Sequence, residues 1–233
     1  MLVLRRWLLV GLAVVLANGC SNPAPRAGAK PPAAAPMPPP PRGLRAYAID
    51  AQRSEVRVLV YRAGKLARLG HNHVIVNHAL AGWVAVADRV SSGAFYLRMA
   101  AAEFSVDDDG PRSQEGADFA AEVPADAKAG TRRNMLSAAV LDAVDFPHVA
   151  VKSLAIQDDA AARVATASIE VAGHESTAVI PFTLDRQSAR LVATGSVSLR
   201  QSSLGLTPLS VGLGALQVQD EIRVKFTVVA SGG

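Results

Sequence analysis

Residues 222–228 alternate strictly between apolar and polar side chains, and the apolar positions are Ile222, Val224, Phe226 and Val228. Successive side chains of a β-strand point to opposite faces of the sheet. The pattern therefore predicts a strand with one face on an apolar interior and the other on a polar surface. A chain built from such strands buries its apolar faces in a sandwich or a barrel.

The same period of two recurs in several segments from Tyr47 onward. Glycines and polar turns separate most of these segments, which favours an antiparallel meander that closes into a barrel or sandwich. The predicted inward-facing sets are Val56, Val58 and Val60; Phe95, Leu97 and Met99; Val149 and Val151; and Ile169 and Val171.

One segment departs from the strand period. Residues 126–140 combine an N-cap, good helix formers and apolar residues at helical spacing, and this combination predicts a short helix. Residues 115–121 are the candidate for a second short helix. We expect the longer helix, placed between strands, to cover the mouth of the barrel.

The first 43 residues differ in composition from the rest. Residues 1–19 place Arg5 and Arg6 before a short apolar run, which predicts a signal peptide. Residues 16–20 resemble the bacterial lipobox, so we expect Cys20, the only cysteine, to carry lipid. The alternative is ordinary signal cleavage that leaves a free thiol.

Residues 20–43 are rich in proline and alanine and lack the branched and aromatic residues that a core requires. They predict an extended tether. The remaining residues, 44–233, are enough for one domain with its own core.

The basic residues are unevenly distributed along the chain. Five of the 24 basic residues and none of the 20 acidic residues lie in residues 1–43, so the remainder has a net charge of −1. A nucleic-acid-binding domain carries excess positive charge on its folded surface. The sequence therefore predicts no nucleic-acid partner, and its basic leader suits contact with anionic lipid.

Three segments occur in a recognisable order: residues 47–50 followed by Ser54, residues 132–136 leading into 145–149, and the strand at 218–224. Together they resemble the YceI-like family over Tyr47 to Ala230. The resemblance implies a mainly β fold, an extended lipocalin-like antiparallel β-barrel with one or two short helices. It also implies export and a lumen that binds a polyisoprenoid or an isoprenoid quinone. No catalytic residue comes with it.

His71 and His73 are the main candidates in the chain for binding a metal or the polar part of a ligand. If residues 71–77 form one strand, these two side chains share a face and His78 lies on the other. Two imidazoles can share a divalent metal, but a structural zinc needs four ligands and a catalytic zinc usually three. Metal binding is one hypothesis for the pair. The others are an ordinary polar strand entrance, and a barrel mouth where the imidazoles bind the polar head of a ligand.

Trp83 and Arg132 complete the set of candidate ligand contacts. Trp83 lies in an apolar segment that we assign to the core or lumen wall, and Arg132 lies in the predicted helix. Residues 107–110 read Asp-Asp-Asp-Gly, but they lack the twelfth-position glutamate of a calcium loop. For these residues we predict a solvated turn.

The sequence thus predicts a lipid-anchored bacterial envelope protein that faces the periplasm and binds an apolar lipid-like molecule. Ser21, after the lipidated cysteine, favours the outer membrane. The sequence contains no nucleophile elbow and no phosphate-binding loop, so an enzymatic role is not the leading hypothesis. The alternative is a metal-binding or metal-dependent protein that uses His71 and His73.

Overall fold

The computed structural model of the protein describes residues 36–159, 163–187 and 189–232. The predicted signal peptide, Cys20 and most of the predicted tether lie outside these residues. Within them, no helix has the length and apolar composition needed to cross a membrane.

The described part of the chain is mainly β-structure, as the sequence predicted. It contains two α-helices, α1 (Asp109–Ser113) and α2 (Ala125–Leu136). Its strands are β1 (Arg45–Ile49), β2 (Glu55–Ala63), β3 (His73–Asn77), β4 (Leu80–Val86), β5 (Ala94–Ala100), β6 (Ser105–Val106), β7 (His148–Asp158), β8 (Arg163–Val171), β9 (His174–Arg186), β10 (Arg190–Arg200), β11 (Ser210–Val211) and β12 (Leu216–Ser231).

Eight antiparallel strands close into a barrel in the order β1-β4-β5-β7-β8-β9-β10-β12. The barrel closes where β1 pairs with the end of β12, at Ala48–Ser231 and Ile49–Ala230. The rest of the same edge of β12 pairs with β2, and β3 and β6 follow β2 in turn. The predicted antiparallel barrel is confirmed. Strands β2, β3 and β6 extend the sheet from β12 beyond the closed barrel.

The apolar faces predicted from the period of two all point into the barrel. Every residue of the predicted inward sets on β2, β5, β7, β8 and β12 lines the same central cavity. Residues paired across antiparallel strands share a face, and the registers agree, because Val58 pairs with both Val224 and Ile75. The alternation therefore correctly predicted which face of each strand lines the lumen.

A β-bulge in β7 changes the alternation within that strand. The register with β8 shifts between Ser153 and Ala155, and Leu154 is left exposed on the surface. A bulge inserts one extra residue, so every later side chain changes face. Ile156 consequently lines the cavity, although it has the opposite parity from Val149 and Val151.

Helix α2 occupies the segment in which a helix was predicted but ends earlier, at Leu136, because Ser137 adopts an extended conformation. Met135 of α2 and Leu141 of the following loop line the cavity. The expected second helix is a single 3-10 turn, Ala117–Phe119. That turn packs Phe119 onto the outer face of β2 and β3, against Leu59, Val74 and Val76.

Candidate functional site

The barrel encloses an apolar cavity with a volume of about 290 Å³. Aliphatic side chains dominate its wall, with four aromatic rings among them: Phe95, Phe104, Phe182 and Phe226. Among the described residues, Gln201 supplies the only polar side chain of the lining. Gln201 is buried, and its Nε2 donates to the carbonyl oxygen of Gln219 at 2.7 Å.

The two ends of the lumen are bordered by different connections. Leu204 and Leu206, after β10, line one end together with Leu141. Val90, in the β4–β5 connection, and Ile156 line the opposite end. Between these ends every barrel strand except β1 contributes lining side chains. The result is an elongated compartment whose chemistry suits an apolar molecule along the barrel axis.

His73 lies on the lumen-side parity of β3, opposite Val60 of β2, but it does not line the cavity. Its Nδ1 lies 2.6 Å from Asp107 Oδ2 and its Nε2 lies 3.2 Å from Thr131 Oγ1. Both ring nitrogens therefore already have protein partners. His71 precedes β3 rather than belonging to it, and its ring centroid lies 6.2 Å from that of His73.

Asp107 is the centre of this polar cluster. It is completely buried and accepts hydrogen bonds from Arg112 Nη1 at 2.6 Å and from the Val74 amide at 2.8 Å. Burial by itself raises the pKa of Asp107, but the hydrogen bonds from His73 and Val74 and the nearby positive charges lower it below its ordinary value. The predicted solvated turn is therefore wrong at Asp107.

Arg112 ties the same cluster to the surrounding loops. The guanidinium Nη1 also donates to the Asn72 carbonyl at 2.9 Å, and Nη2 donates to the Ala121 carbonyl at 2.9 Å. The Asp107–Arg112 pair thus fixes the start of β3 to residues 109–121. We call these residues the covering segment, because their Phe119 packs on the outer face of β2 and β3. We call Asp107, Arg112, His73 and Thr131 the buried polar cluster.

Thr131, His73 and Asp107 have the order of a nucleophile, a base and an orienting acid. A nucleophile also needs preorganised donors for the oxyanion and a site for substrate. Thr131 lies inside helix α2, whose backbone amides are committed to the helix, and it does not line the cavity. We therefore interpret the cluster as a structural connection between α2, β3 and the loop after β6.

A second group of charges holds the same covering segment to the barrel. The buried carboxylate of Glu115 binds Arg57 at 2.7 Å and Lys225 at 2.6 Å. Burial raises the pKa of Glu115, but hydrogen bonds from Lys225 and Arg57 outweigh it and lower the pKa. Arg57 and Lys225 are the outward-facing neighbours of lumen residues, so the outer face of β2 and β12 is used for this attachment.

The other predicted site residues lie apart from the lumen. Trp83 stacks on Tyr96 at a centroid distance of 6.5 Å and donates to the Pro38 carbonyl at 2.7 Å, on the outer face of the barrel. Arg132 is exposed and donates to the Ala102 carbonyl at 2.6 Å. Neither residue lines the cavity, and their predicted contact with a ligand stays a prediction.

The metal hypothesis for His71 and His73 gains no support from the geometry. His78 faces away from the pair, with its Nδ1 3.3 Å from the Ser54 carbonyl. Across the described ranges, no group of three or more His, Cys, Asp and Glu side chains is arranged to hold a metal ion.

Sequence reasoning missed four polar residues that the fold uses: Asp107, Arg112, Thr131 and Gln201. Asp107 carried one available signal, since it directly follows β6, whose Val106 is buried. Thr131 and Gln201 carried none, because their partners His73 and Gln219 are distant in sequence. Arg112 follows its partner Asp107 by only five residues, but no sequence pattern marks the two as a buried pair.

The family described as YceI-like domain matches residues 47–230. Among curated proteins, none matches the chain significantly. The crystal structure of BcnA from Burkholderia cenocepacia superposes with a TM-score of 0.57 at 16% identity, covering 78% of this chain and 99% of that one. A polyisoprenoid binding domain from Saccharophagus degradans, implicated in plant cell wall breakdown, gives 0.53 at 10% identity, covering 81% and 99%. At these identities the likeness concerns the fold.

Proposed function

Because the chain belongs to the YceI-like domain family, we propose that it binds an apolar, isoprenoid-like molecule in the lumen of its barrel. The main support is the lining of that lumen, which is apolar except for Gln201. Each 100 Å² of ligand surface transferred from water to such a wall is favourable by about 2.5 kcal/mol. A polyisoprenoid or the tail of an isoprenoid quinone meets this requirement without any charged partner.

The shape of the cavity supports a chain-like ligand over a compact one. Side chains from nine strands surround it, seven from the barrel together with β2 and β3, and the lining extends from Leu206 at one end to Val90 at the other. Four phenylalanine rings are spread along β5, β9 and β12 and the β5–β6 connection, so no single stacking platform for a planar ring is formed. The name of the Saccharophagus degradans domain agrees with this ligand class.

We further propose that the protein is a lipoprotein of the bacterial cell envelope, attached through Cys20 and facing the periplasm. The lipobox-like residues 16–20 and the proline-rich residues 20–43 support this proposal, and Ser21 favours the outer membrane. Intact-mass measurement of the membrane-extracted protein tests it, because lipidation adds the mass of the acyl chains to Cys20. A mature protein without added lipid at Cys20 would contradict it.

Mass spectrometry of an organic extract from natively purified protein tests ligand binding directly. We expect an apolar lipid at a fixed ratio to protein. The variant Val151→Trp places an indole in the lumen, and Val179→Trp places the same group on the outer wall, where Val179 is 61% exposed. The indole removes space and apolar contact surface from a cavity of about 290 Å³. Losing about 100 Å² of buried probe surface costs about 2.5 kcal/mol, so Val151→Trp should weaken uptake of an apolar fluorescent probe roughly 70-fold.

Val179→Trp is the matched control and should bind the probe as the wild type does. Equal binding by the two variants would place the probe outside the lumen. A lipid-free extract together with no probe uptake by the wild type would refute the proposed function.

A further inference from the structure

Two loops meet where β12 extends past the barrel rim. Beyond its last pairing with β10, at Arg200–Glu221, β12 continues and pairs with the end of β2 and with β11. The loop after β2 is held there, since the Leu66 amide donates to the Ala215 carbonyl at 2.8 Å. We call loop residues 65–69 and turn residues 211–214 the tip.

The tip exposes large apolar side chains. Leu213 is fully exposed, Leu69 is 65% exposed, and Leu66 and Val211 are also exposed. Leu213 has a positive φ of 55°, and the glycines on either side of it also have positive φ. A leucine rarely adopts this conformation, so the turn holds Leu213 outward at a conformational cost.

The charges of the tip are all positive. Lys65 and Arg68 lie exposed among the leucines. Residues 56–87 contain no acid, and residues 201–219 contain no charged residue. The acid nearest to the turn in sequence is Asp220, whose carboxylate accepts hydrogen bonds from the amide and the hydroxyl of Ser202. Exposed leucines interleaved with basic residues are the composition that binds a membrane interface containing anionic lipids.

We propose that the tip docks on a lipid bilayer, with Leu69 and Leu213 in the interface and Lys65 and Arg68 on anionic headgroups. A second copy of the chain is a poorer occupant, because a symmetric contact between two tips would bring together the basic residues of both copies. A bilayer with anionic lipids can bury the exposed leucines and also bind the basic side chains through its headgroups. This inference is independent of what the lumen binds.

A single-site label tests the proposal. Cys20 is the only cysteine, so the full-length chain with Cys20→Ser and Leu213→Cys carries one site for an environment-sensitive nitrobenzoxadiazole dye. The control places the dye on the outer wall, through Cys20→Ser and Val179→Cys. We expect a blue shift of the Leu213 label, and none of the Val179 label, with vesicles of phosphatidylcholine and phosphatidylglycerol.

Charge variants test the electrostatic part. Each basic residue near an anionic surface raises the binding constant about fivefold. Lys65→Ser with Arg68→Ser should therefore lower the vesicle-binding constant, obtained from a titration of the dye signal, about 25-fold. Arg53→Ser with Arg89→Ser, which changes two basic residues outside the tip, should leave it unchanged. No shift at Leu213, an equal shift at Val179, or a concentration-dependent shift without vesicles would each overturn the proposal.

Discussion

Replacing Asp107 with asparagine removes one negative charge from the buried polar cluster and nearly preserves its shape. Asp107 is completely buried and accepts hydrogen bonds from Arg112 and the Val74 amide, and its other oxygen contacts His73. In Asp107→Asn the amide keeps one acceptor oxygen, but the buried Arg112 guanidinium loses its counterion. The covering segment and β3 lose their shared anchor at the same time.

The expected cost follows from the burial of both partners. Removing one member of a buried ion pair costs about 3–5 kcal/mol, because the other charge is left without compensation. For a domain of this size each kcal/mol moves the unfolding midpoint by about 2–4 °C. We therefore expect Asp107→Asn to lower the Tm by roughly 6–20 °C.

Thermal unfolding followed by circular dichroism measures this change. The matched control is Asp109→Asn, which makes the same chemical change in a side chain that is 97% exposed and pairs with Lys128 at 3.1 Å. An exposed pair contributes at most about 1 kcal/mol. A Tm decrease in Asp107→Asn no larger than that of Asp109→Asn would show that the cluster does not stabilise the fold as argued.

Two further predictions concern acid and packing. Hydrogen bonds from His73 and the Val74 amide lower the pKa of Asp107 below 3.8, and hydrogen bonds from Lys225 and Arg57 lower that of Glu115 below 4.5, despite burial. The stabilisation by these carboxylates is therefore present above these pH values and lost as pH falls below them. The Tm gap between wild type and Asp107→Asn with Glu115→Gln should shrink below pH of about 4, and a constant gap would contradict this. Gly195→Ala should cost about 1–3 kcal/mol in denaturant unfolding, because its Cβ would lie 2.4 Å from the Phe226 ring; a cost equal to that of the unobstructed Gly110→Ala would refute it.

The lumen was predictable because it depends on a local rule. Once residues 222–228 are a strand, alternation fixes which side chains face inward, and the same rule applied to β2, β5, β7 and β8. It failed after Leu154, because a bulge leaves no reliable mark in sequence and moves Ile156 to the other face. The rule also places Trp83 outside, beside inward-facing Val84, but the size of the indole made a core position the natural expectation.

The polar cluster was not predictable, because it joins segments that sequence does not connect. The parity of His73 was correctly deduced, but its partners Asp107 and Thr131 come from the loop after β6 and from α2. An Asp-Asp-Asp-Gly segment is ordinarily a surface turn. Only the tertiary fold, which brings Arg112 and the Val74 amide to Asp107, turns this carboxylate into a buried one.

The position of β12 has a consequence for how the protein is made. This strand contacts β10 along one edge and both β2 and β1 along the other, and it supplies Ile222, Val224, Phe226 and Val228 to the lumen. Among the eight barrel strands it is also the last in chain order, so it is synthesised after the other seven. Until it arrives, the apolar inner face of the other strands has no enclosing wall, and the long-range closure of β1 with β12 makes this step intrinsically slow. During that interval the unfinished sheet needs protection from aggregation, and a ligand can be enclosed only after β12 has been made.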